Sequence, residues 1–398
     1  MKVAEQAFSP DDLTQIFAAL GDVPCFAIAV SGGGDSMALL RLALRWRGTR
    51  KGLIALTVDH HLRDASAAEA EQVSHWCNAL SVEHHIINWQ HNVVTSAIQA
   101  KARTARYDLL CAWCNEHEVP ALLTAHTIED QAETVAMRQR RTSSPRSLAG
   151  IWPETKWNGI RILRPLLGET RARLRNHLLT LGQDWLEDPS NTNPAFERVR
   201  VRNTGPSPSL ADLAIRSQAA ITTAQTESQR WITTELVIAA TGMMQFAPQA
   251  FAALSPLAQD EVLLTLLTSS GGTVPELSRR TTLIAWLVTP QLGRRTLGGV
   301  LFAKRQRQIL VARESARIDA APCYLNDPQP ILWDRRFRIS GPRGSSVTSM
   351  SAIKGMKRFR DIPAMVWTGL PVISLENEVL AFPHGPSHQD VKIEFIKK

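Results

Sequence analysis

A short apolar run, Phe26-Ala27-Ile28-Ala29-Val30, stops at Ser31-Gly32-Gly33-Gly34-Asp35-Ser36, and a helical spacing of apolar residues (Met37, Leu40, Leu44) begins at once. A buried strand that enters a helix through a glycine cluster restricts the chain to few architectures and one kind of ligand. Glycines let successive backbone N–H groups turn inward as a nest for an anion. The helix start adds its own free N–H groups and the positive end of its dipole. Ser31 and Ser36 bring hydroxyls to the same phosphates. Asp35 would repel bare phosphate, so a divalent cation is expected between them, and Mg²⁺ is the usual choice. Two other phosphate loops are excluded: no Gly-Lys-Ser/Thr ending follows, and Met37 stands where a dinucleotide fingerprint needs its third glycine.

The pattern downstream keeps alternating. Leu53 to Val58 reads as a strand ending at Asp59, Ser66 to Leu80 as a helix, and Glu83 to Trp89 as a strand. Ala97 to Glu116 reads as a long helix, Ala121 to Ala125 as a buried strand, and Glu129 to Arg138 as a helix. This β-α-β-α order predicts an α/β domain with a parallel sheet, whose ligand binds beyond the carboxyl ends of the strands. Asn203 to Ser209 and Ala321 to Pro330 have linker chemistry. Between them, Leu210 to about Leu287 is helical in pattern and Thr296 to Ala312 resembles a small hairpin; Ile331 to Lys398 reads as short strands with turns. The 398 residues exceed one ordinary domain, and the breaks predict domains at 1–205, 210–318 and 328–398. No apolar run is long enough to span a membrane. The residues from Met1 to Pro10 lack a signal peptide's apolar core, and the five cysteines are scattered and odd in number. A cytoplasmic protein with reduced thiols is expected.

Ser-Gly-Gly-x-Asp-Ser in this setting resembles the pyrophosphate-binding loop of the N-type ATP pyrophosphatases, which cleave ATP between the α- and β-phosphates. Further segments narrow the resemblance: Val58-Asp59-His60-His61-Leu62-Arg63, Ala102-Arg103 with Arg106-Tyr107, and Thr124-Ala125-His126 leading into Glu129-Asp130-Gln131-Ala132-Glu133-Thr134. Arg164-Pro165-Leu166-Leu167, Trp185 to Asn191, and Arg198, Arg200 and Arg202 follow. In this order they resemble tRNA(Ile)-lysidine synthetases, well over residues 24 to 203 and more loosely beyond. The resemblance implies a parallel-sheet, adenine nucleotide alpha-hydrolase-like (Rossmann-like) domain, then a helical domain and a small mixed α/β C-terminal domain.

It also implies a ligation. The C2 oxygen of the wobble cytidine in a tRNA(Ile) with anticodon CAU attacks ATP, pyrophosphate leaves, and the side-chain amine of free L-lysine then displaces AMP. On this reading Ser31, Gly32, Gly33, Gly34, Asp35 and Ser36 hold the phosphates, Asp35 and Asp130 hold Mg²⁺, and Asp59 and His126 contact the nucleotide or orient its loops. Asp130 and Glu133 lie three apart on one helical face. One of them is expected to hold the lysine ammonium and assist its loss of a proton, which at a reference pKa of about 10.4 does not happen unaided. Arg103 is the remaining catalytic candidate, facing phosphate or tRNA. A monomer or homodimer is expected.

The formal net charge of +8 favours a polyanionic partner. Its arginines gather at 138–146, 161–175 and 198–202, which predicts a surface tracking the tRNA backbone. Trp152, Trp157 and Trp185 suit base stacking, although each taken singly is more economically a core residue. Where the family carries an Arg-Gly-Ser/Ala-Gly segment this chain reads Arg141-Thr142-Ser143-Ser144-Pro145-Arg146, so a stiffer loop is expected. Cys111-Ala112-Trp113-Cys114 raises a tRNA 2-thiolation enzyme as an alternative, but no second cysteine pair exists and the helical pattern around it favours core packing. An RNA-binding protein that keeps ATP without catalysis would share the glycine loop, as would a small-molecule amide-forming ligase.

Overall fold

In a computed structural model, residues 8–48, 52–61, 65–90, 98–187, 197–205, 207, 209–319, 321–327, 329–376, 378–385 and 387–396 are described. Two compact units divide at residue 219, Met1–Ala219 and Ala220–Lys398.

The first unit is built on a six-stranded sheet in the order β3-β2-β1-β4-β6-β5. Its strands are β1 (Cys25–Ala29), β2 (Gly52–Asp59), β3 (Glu83–Asn88), β4 (Ala121–Leu123), β5 (Glu154–Trp157) and β6 (Ile160–Leu163). All pairings are parallel except the β5–β6 edge. The helices are α1 (Pro10–Ile16), α2 (Gly34–Arg47), α3 (Ser66–Ala79), α4 (Ile98–Glu116), α5 (Ile128–Gln139), α6 (Pro145–Leu148), α7 (Arg171–Thr180) and α8 (Glu197–Asn203). The sheet is buried on both faces, as β1 illustrates. Phe26 and Ile28 point into one apolar cluster with Met37, Leu40 and Leu174. Ala27 points into the other with Tyr107, Leu110, Cys111 and Cys114.

Strand order places the site. The chain leaves β1 to build β2 and β3 on one side, then returns to add β4 on the other side of β1. The loops after β1 and β4 therefore diverge at a topological switch point, where a crevice opens beyond the strand ends. α2 begins two residues earlier than its apolar spacing suggests, because Gly33 takes the extended N-cap conformation. Asp35 and Ser36 consequently lie in the first turn of a helix. Pro145, expected to stiffen its loop, is the first residue of the short helix α6, where the fixed φ of proline is favourable.

α9 (Ser209–Glu235) runs through the boundary residue. The second unit is richer in sheet than its pattern implies. The stretch that reads as continuously helical contains β7 (Val237–Ile238), β8 (Met244–Phe246), α10 (Pro248–Ala252), α11 (Pro256–Ser269) and α12 (Leu277–Val288). The expected hairpin has three strands, β9 (Gly293–Leu297), β10 (Val300–Lys304) and β11 (Ile309–Arg313). With β7 and β8 they form one sheet, ordered β7-β8-β11-β10-β9. Beyond it, β12 (Cys323–Leu325), β15 (Ser345–Ser349), β16 (Pro371–Leu375) and β17 (Glu378–Ala381) form a four-stranded sheet. β13 (Ile331–Trp333), β14 (Phe337–Ser340) and β18 (Lys392–Phe395) form a three-stranded one, and the only helix among the described residues there longer than a 3₁₀ turn is α13 (Ala364–Trp367). No helix among the described residues is long and apolar enough to cross a membrane.

Candidate active site

The glycine loop is held open by its neighbours. Gly32 has φ +81°, and a Cβ there would meet Leu186 Cδ1 at 2.5 Å and Val73 Cγ2 at 2.9 Å. The Leu186 amide donates to the Gly32 carbonyl at 2.9 Å, and Gly34 faces the Trp185 ring. Trp185 therefore floors the loop; its Nε1 donates to Glu187 at 2.8 Å. The motif's continuation, Asp188 to Asn191, lies outside the described residues. Ser36 works inside the loop: its hydroxyl donates to the Gly33 carbonyl at 2.9 Å and accepts from the Ser31 amide at 3.2 Å. In this structure Ser36 braces the loop, and the Ser31 hydroxyl, 3.3 Å from that of Ser36, is the more exposed of the two. Gly33 provides no side-chain cap, so the first-turn amides of α2 are free for an anion.

Opposite the loop, α5 presents its acids. Thr127 and Asp130 form a capping box: the Thr127 amide donates to Asp130 Oδ2 at 2.8 Å and the Thr127 hydroxyl to the same oxygen at 3.0 Å. This helix start is deeply buried, with Asp130 and Glu133 8% and 1% exposed. Burial of this kind requires counter-charge, and arginines from later in the chain provide it. Arg171 Nη2 donates to Asp130 Oδ1 at 2.6 Å, Nη1 to Glu133 Oε1 at 3.0 Å, and Nε to Asp35 Oδ2 at 3.3 Å. Arg198 reaches Glu133 at 2.8 Å and Asp130 at 3.1 Å, and Arg202 Nε reaches Glu133 at 2.8 Å. The chain thus brings Asp35, Asp130 and Glu133 to one point, with Arg171 among them.

Charge is unevenly balanced in this cluster. Burial is the largest influence on all three acids and raises each. For Asp130 the guanidinium groups of Arg171 and Arg198 outweigh it, and for Glu133 the bonds from Arg202, Arg171 and Arg198 do. Both carboxyls end below their ordinary range. For Asp35 burial wins over Arg171, and the neighbouring Asp130 charge adds to it, so its carboxyl is held above the usual range. The Arg171 guanidinium, although burial opposes its charge, is driven up by Asp130, Glu133 and Asp35.

That imbalance tests the expected Mg²⁺ site. Asp35 fits a cation: it is under-compensated, 28% of its side chain is exposed, and it stands in the first turn beside the phosphate nest. Asp130 does not fit as its partner. One of its oxygens is occupied by Thr127 and the other by two guanidinium groups. Of the two expected metal ligands, Asp35 has an oxygen open to a cation, and Asp130 is bonded to guanidinium groups that donate N–H bonds to it.

The remaining candidates surround this centre. Asp59 ends β2 and is buried; its Oδ1 accepts from the Ser66 hydroxyl at 2.7 Å and the His61 amide at 3.0 Å. Burial raises its carboxyl, but those bonds and the nearby histidines bring it below the ordinary value. It orients the turn after β2, of which Leu62, Arg63 and Asp64 lie outside the described residues. His126, past the end of β4, shares a hydrogen bond with the Thr124 hydroxyl at 3.1 Å. Burial, against the pull of Asp130, pushes its imidazole down to about 3. Arg103 is exposed on α4, its guanidinium 5.1 Å from the Tyr107 ring centre, and its charge acts on His126.

The arginine clusters that suggest a tRNA-tracking surface are largely spent within the unit. Arg164 is buried and donates to the Trp152 carbonyl and Thr155, Arg161 pairs with Glu154, and Arg173 pairs with Asp12 and Glu169. Arg138 donates to the carbonyls of Ser147 and Gly150. Arg171, Arg198 and Arg202 serve the acid cluster. Sequence reasoning misses this role, and its one available signal is that two buried acids on a helix demand counter-charge from somewhere. Trp157 packs at 5.4 Å on Tyr107 with its Nε1 donating to Asp108. The Cys-x-x-Cys pair is buried in α4, and burial pushes the Cys111 and Cys114 thiols up to about 11 and about 12. Neither suits sulfur transfer, which needs an accessible thiolate.

Known proteins of similar sequence identify the family. A PP-loop domain model matches residues 9–205. The tRNA(Ile)-lysidine synthase of Bradyrhizobium sp. (strain BTAi1) is 34% identical over 79% of this chain and 95% of its own length. That of Rhizobium meliloti is 33% identical over 92% of this chain and 86% of its own. The chain belongs to the tRNA(Ile)-lysidine synthase family. Another member, from Ruegeria pomeroyi, is 34% identical over 79% of this chain and 76% of its own. Among solved structures, the U34-tRNA thiolase NcsA from Methanococcus maripaludis with its [4Fe-4S] cluster aligns over 54% of this chain and 79% of its own, at 15% identity and a TM-score of 0.46.

Proposed function

We propose that this chain ligates free L-lysine to C2 of the wobble cytidine of a CAU-anticodon tRNA(Ile), with ATP as the activating substrate. One observation carries the reading: an anion nest at the start of α2 faces a buried carboxylate pair already holding organic cations. A triphosphate and an amine are the two small substrates this arrangement suits.

The free amides of the first turn of α2 and the Ser31 hydroxyl receive the phosphates; Asp35 would hold Mg²⁺, which would supply charge neutralisation for the departing pyrophosphate. The donors are fixed before reaction, because Leu186 and Trp185 hold the loop, so no reorganisation is needed in the transition state. His126, neutral above a pH of about 3, offers an uncharged hydrogen-bonding edge beside the nucleotide. Asp59 keeps the turn after β2 in place beneath it.

Asp130 and Glu133 bind the lysine ammonium. With arginines on them they are poor proton acceptors, since both carboxyls lie below their ordinary range. An incoming amine changes this. Burial disfavours both charges of an ammonium–carboxylate pair, which lowers the amine and raises the acid together and so eases transfer of the proton between them. Arg103 on α4 is assigned to tRNA or phosphate contact outside the acid cluster.

We assign residues 1–205 to catalysis and the parts at 210–318 and 328–398 to gripping the tRNA. Lys354, Lys357, Arg358 and Arg360 support this: all are exposed, around a Phe359 that is 39% exposed. The chain is expected to act in the cytoplasm.

The deciding assay follows pyrophosphate release from ATP and Mg²⁺ with the CAU-anticodon transcript, and labelled lysine into RNA. Label in the tRNA that is lost in Asp35→Ala supports the ligation. Pyrophosphate release without label would discard lysine and favour thiolation. No release under any condition would leave a non-catalytic RNA-binding protein.

A further inference from the structure

Arg171 sits where two substrates are expected to meet. Its guanidinium touches Asp35 at 3.3 Å, beside the phosphate nest, and Asp130 and Glu133 at 2.6 and 3.0 Å, in the amine site. It is the first residue of α7, and its backbone is pinned: its amide donates to both oxygens of the Glu129 carboxylate, at 3.0 and 3.2 Å, and Ile128 donates to the Glu169 carbonyl. The base of the side chain is thus fixed to the start of α5, and, among the described residues, the guanidinium at the end of its four-bond stem is held by the three acids alone.

The charge count sharpens the point. Three carboxylates (Asp35, Asp130, Glu133) face three guanidinium groups (Arg171, Arg198, Arg202), a formal sum of zero. Neither Asp130 nor Glu133 keeps a vacant oxygen for an ammonium, because each of their oxygens already accepts from Thr127 or from a guanidinium. Lysine alone must displace a charged hydrogen-bonded partner from a buried acid, which is costly. A triphosphate seated at the start of α2 changes the balance, because it presents several negative charges next to the same guanidinium.

We propose that Arg171 is a resident counter-ion that closes the amine site until a triphosphate draws it away, so that lysine binds only to the nucleotide-loaded protein. This rests on the assignment of Asp130 and Glu133 to the lysine ammonium. The device has a chemical use: it keeps the amine from settling on the acids before there is an activated base for it to attack. Arg171 acts here as a positioning residue, through the acids it covers.

The test is equilibrium dialysis of labelled L-lysine against the full chain without tRNA, with and without α,β-methylene-ATP and Mg²⁺. The proposal expects lysine affinity to rise about tenfold or more on adding the analogue, and Arg171→Gln to bind lysine without it at close to the loaded level. Arg171→Lys, which keeps the charge with fewer donors, should show an intermediate dependence and covers the case in which Gln does not fold. Equal lysine affinity with and without the analogue, no lysine binding in either state, or weaker binding by Arg171→Gln in both states each overturns the gate. Glu133→Gln separates the two claims. Lysine binding that survives it removes the amine-site assignment itself, whereas its loss, together with no nucleotide dependence in the unaltered chain, removes only the gate.

Discussion

In the first unit Arg171, Arg173, Arg198 and Arg202 end on carboxylates. In the second unit, Lys354, Lys357, Arg358 and Arg360 are exposed around Phe359 and meet no acid among the described residues. The same residue types serve different ends. A guanidinium wedged between buried acids sets their ionisation and shape, and it cannot also reach out to a phosphodiester. A cation on an exposed loop next to an aromatic ring is available to RNA and contributes little to folding. Net charge favours a polyanionic partner, but the pairing of each cation says which part of the chain can bind it.

The largest effect should follow from removing the acid that most arginines share. Glu133→Gln leaves three guanidinium groups around a buried neutral amide, and losing one partner of a buried pair costs about 3–5 kcal/mol. Urea denaturation should show that loss, and labelled lysine should no longer enter tRNA. A variant of unchanged stability would mean that the arginines of the first unit are as free as those of the loop, and the contrast would fail. Next in size is Asp35→Asn. Asp35 has one long contact to Arg171 and is under-compensated, so stability should hold while pyrophosphate release falls by about 10²–10³. Equal loss of stability and rate would place it with Glu133 as a structural acid.

Neutralising the loop sharpens the other half. Lys354, Lys357, Arg358 and Arg360 all changed to Gln should leave stability within about 0.5 kcal/mol. The dependence of log K for tRNA on log salt should become shallower by roughly 3 to 4, about 0.7–0.9 for each phosphate that is no longer neutralised. Filter binding across a salt series measures this. Arg198→Gln in the same series should leave the slope nearly unchanged, and a slope change as large as the loop's would return the α8 arginines to the RNA surface.

The same contrast separates what a sequence makes legible from what it hides. The glycine loop is legible because its conformation is local: a strand, glycines able to take positive φ, and a helix start all lie within a dozen residues. The α5 acids are legible as a pair because a three-residue spacing on a helix puts them on one face. Their partner is not. Arg171 is 41 residues from Asp130 and 136 from Asp35 along the chain, and it arrives only because β6 lies beside β4 and α7 starts beyond that strand's end. Spacing carries no information on such a meeting, so by sequence Arg171 groups with its neighbours as surface charge. The strands β7 and β8 escape the pattern for a related reason: two- and three-residue strands take their identity from the sheet they join through β11, with no period of their own.

The smallest effect concerns acid, and it belongs to the first unit. His84 Nε2 lies 2.8 Å from the Thr57 hydroxyl, which itself donates to the Val30 carbonyl, while Nδ1 is buried without a partner. A second proton would have to sit on that buried Nδ1, and burial accordingly pushes the imidazole down to about 4. The folded value lies below the unfolded one of about 6.5. Between those values the unfolded chain binds a proton that the folded chain refuses, so stability must fall as pH drops from about 6.5 toward 4. The acids act later. Asp130 and Glu133 have folded values below their unfolded ones, so their contribution is intact above the unfolded value near 4 and is lost only below it. Thermal melts at pH 7 and pH 5 should therefore differ through the buried histidines and not through Asp130 or Glu133. His84→Gln, whose amide can still donate to Thr57, should shrink that difference by about 1 kcal/mol. If the pH 7 to pH 5 loss persists undiminished in His84→Gln, the acid sensitivity lies elsewhere; if Arg171→Gln removes it instead, the carboxylates titrate far higher than their pairing with arginine permits.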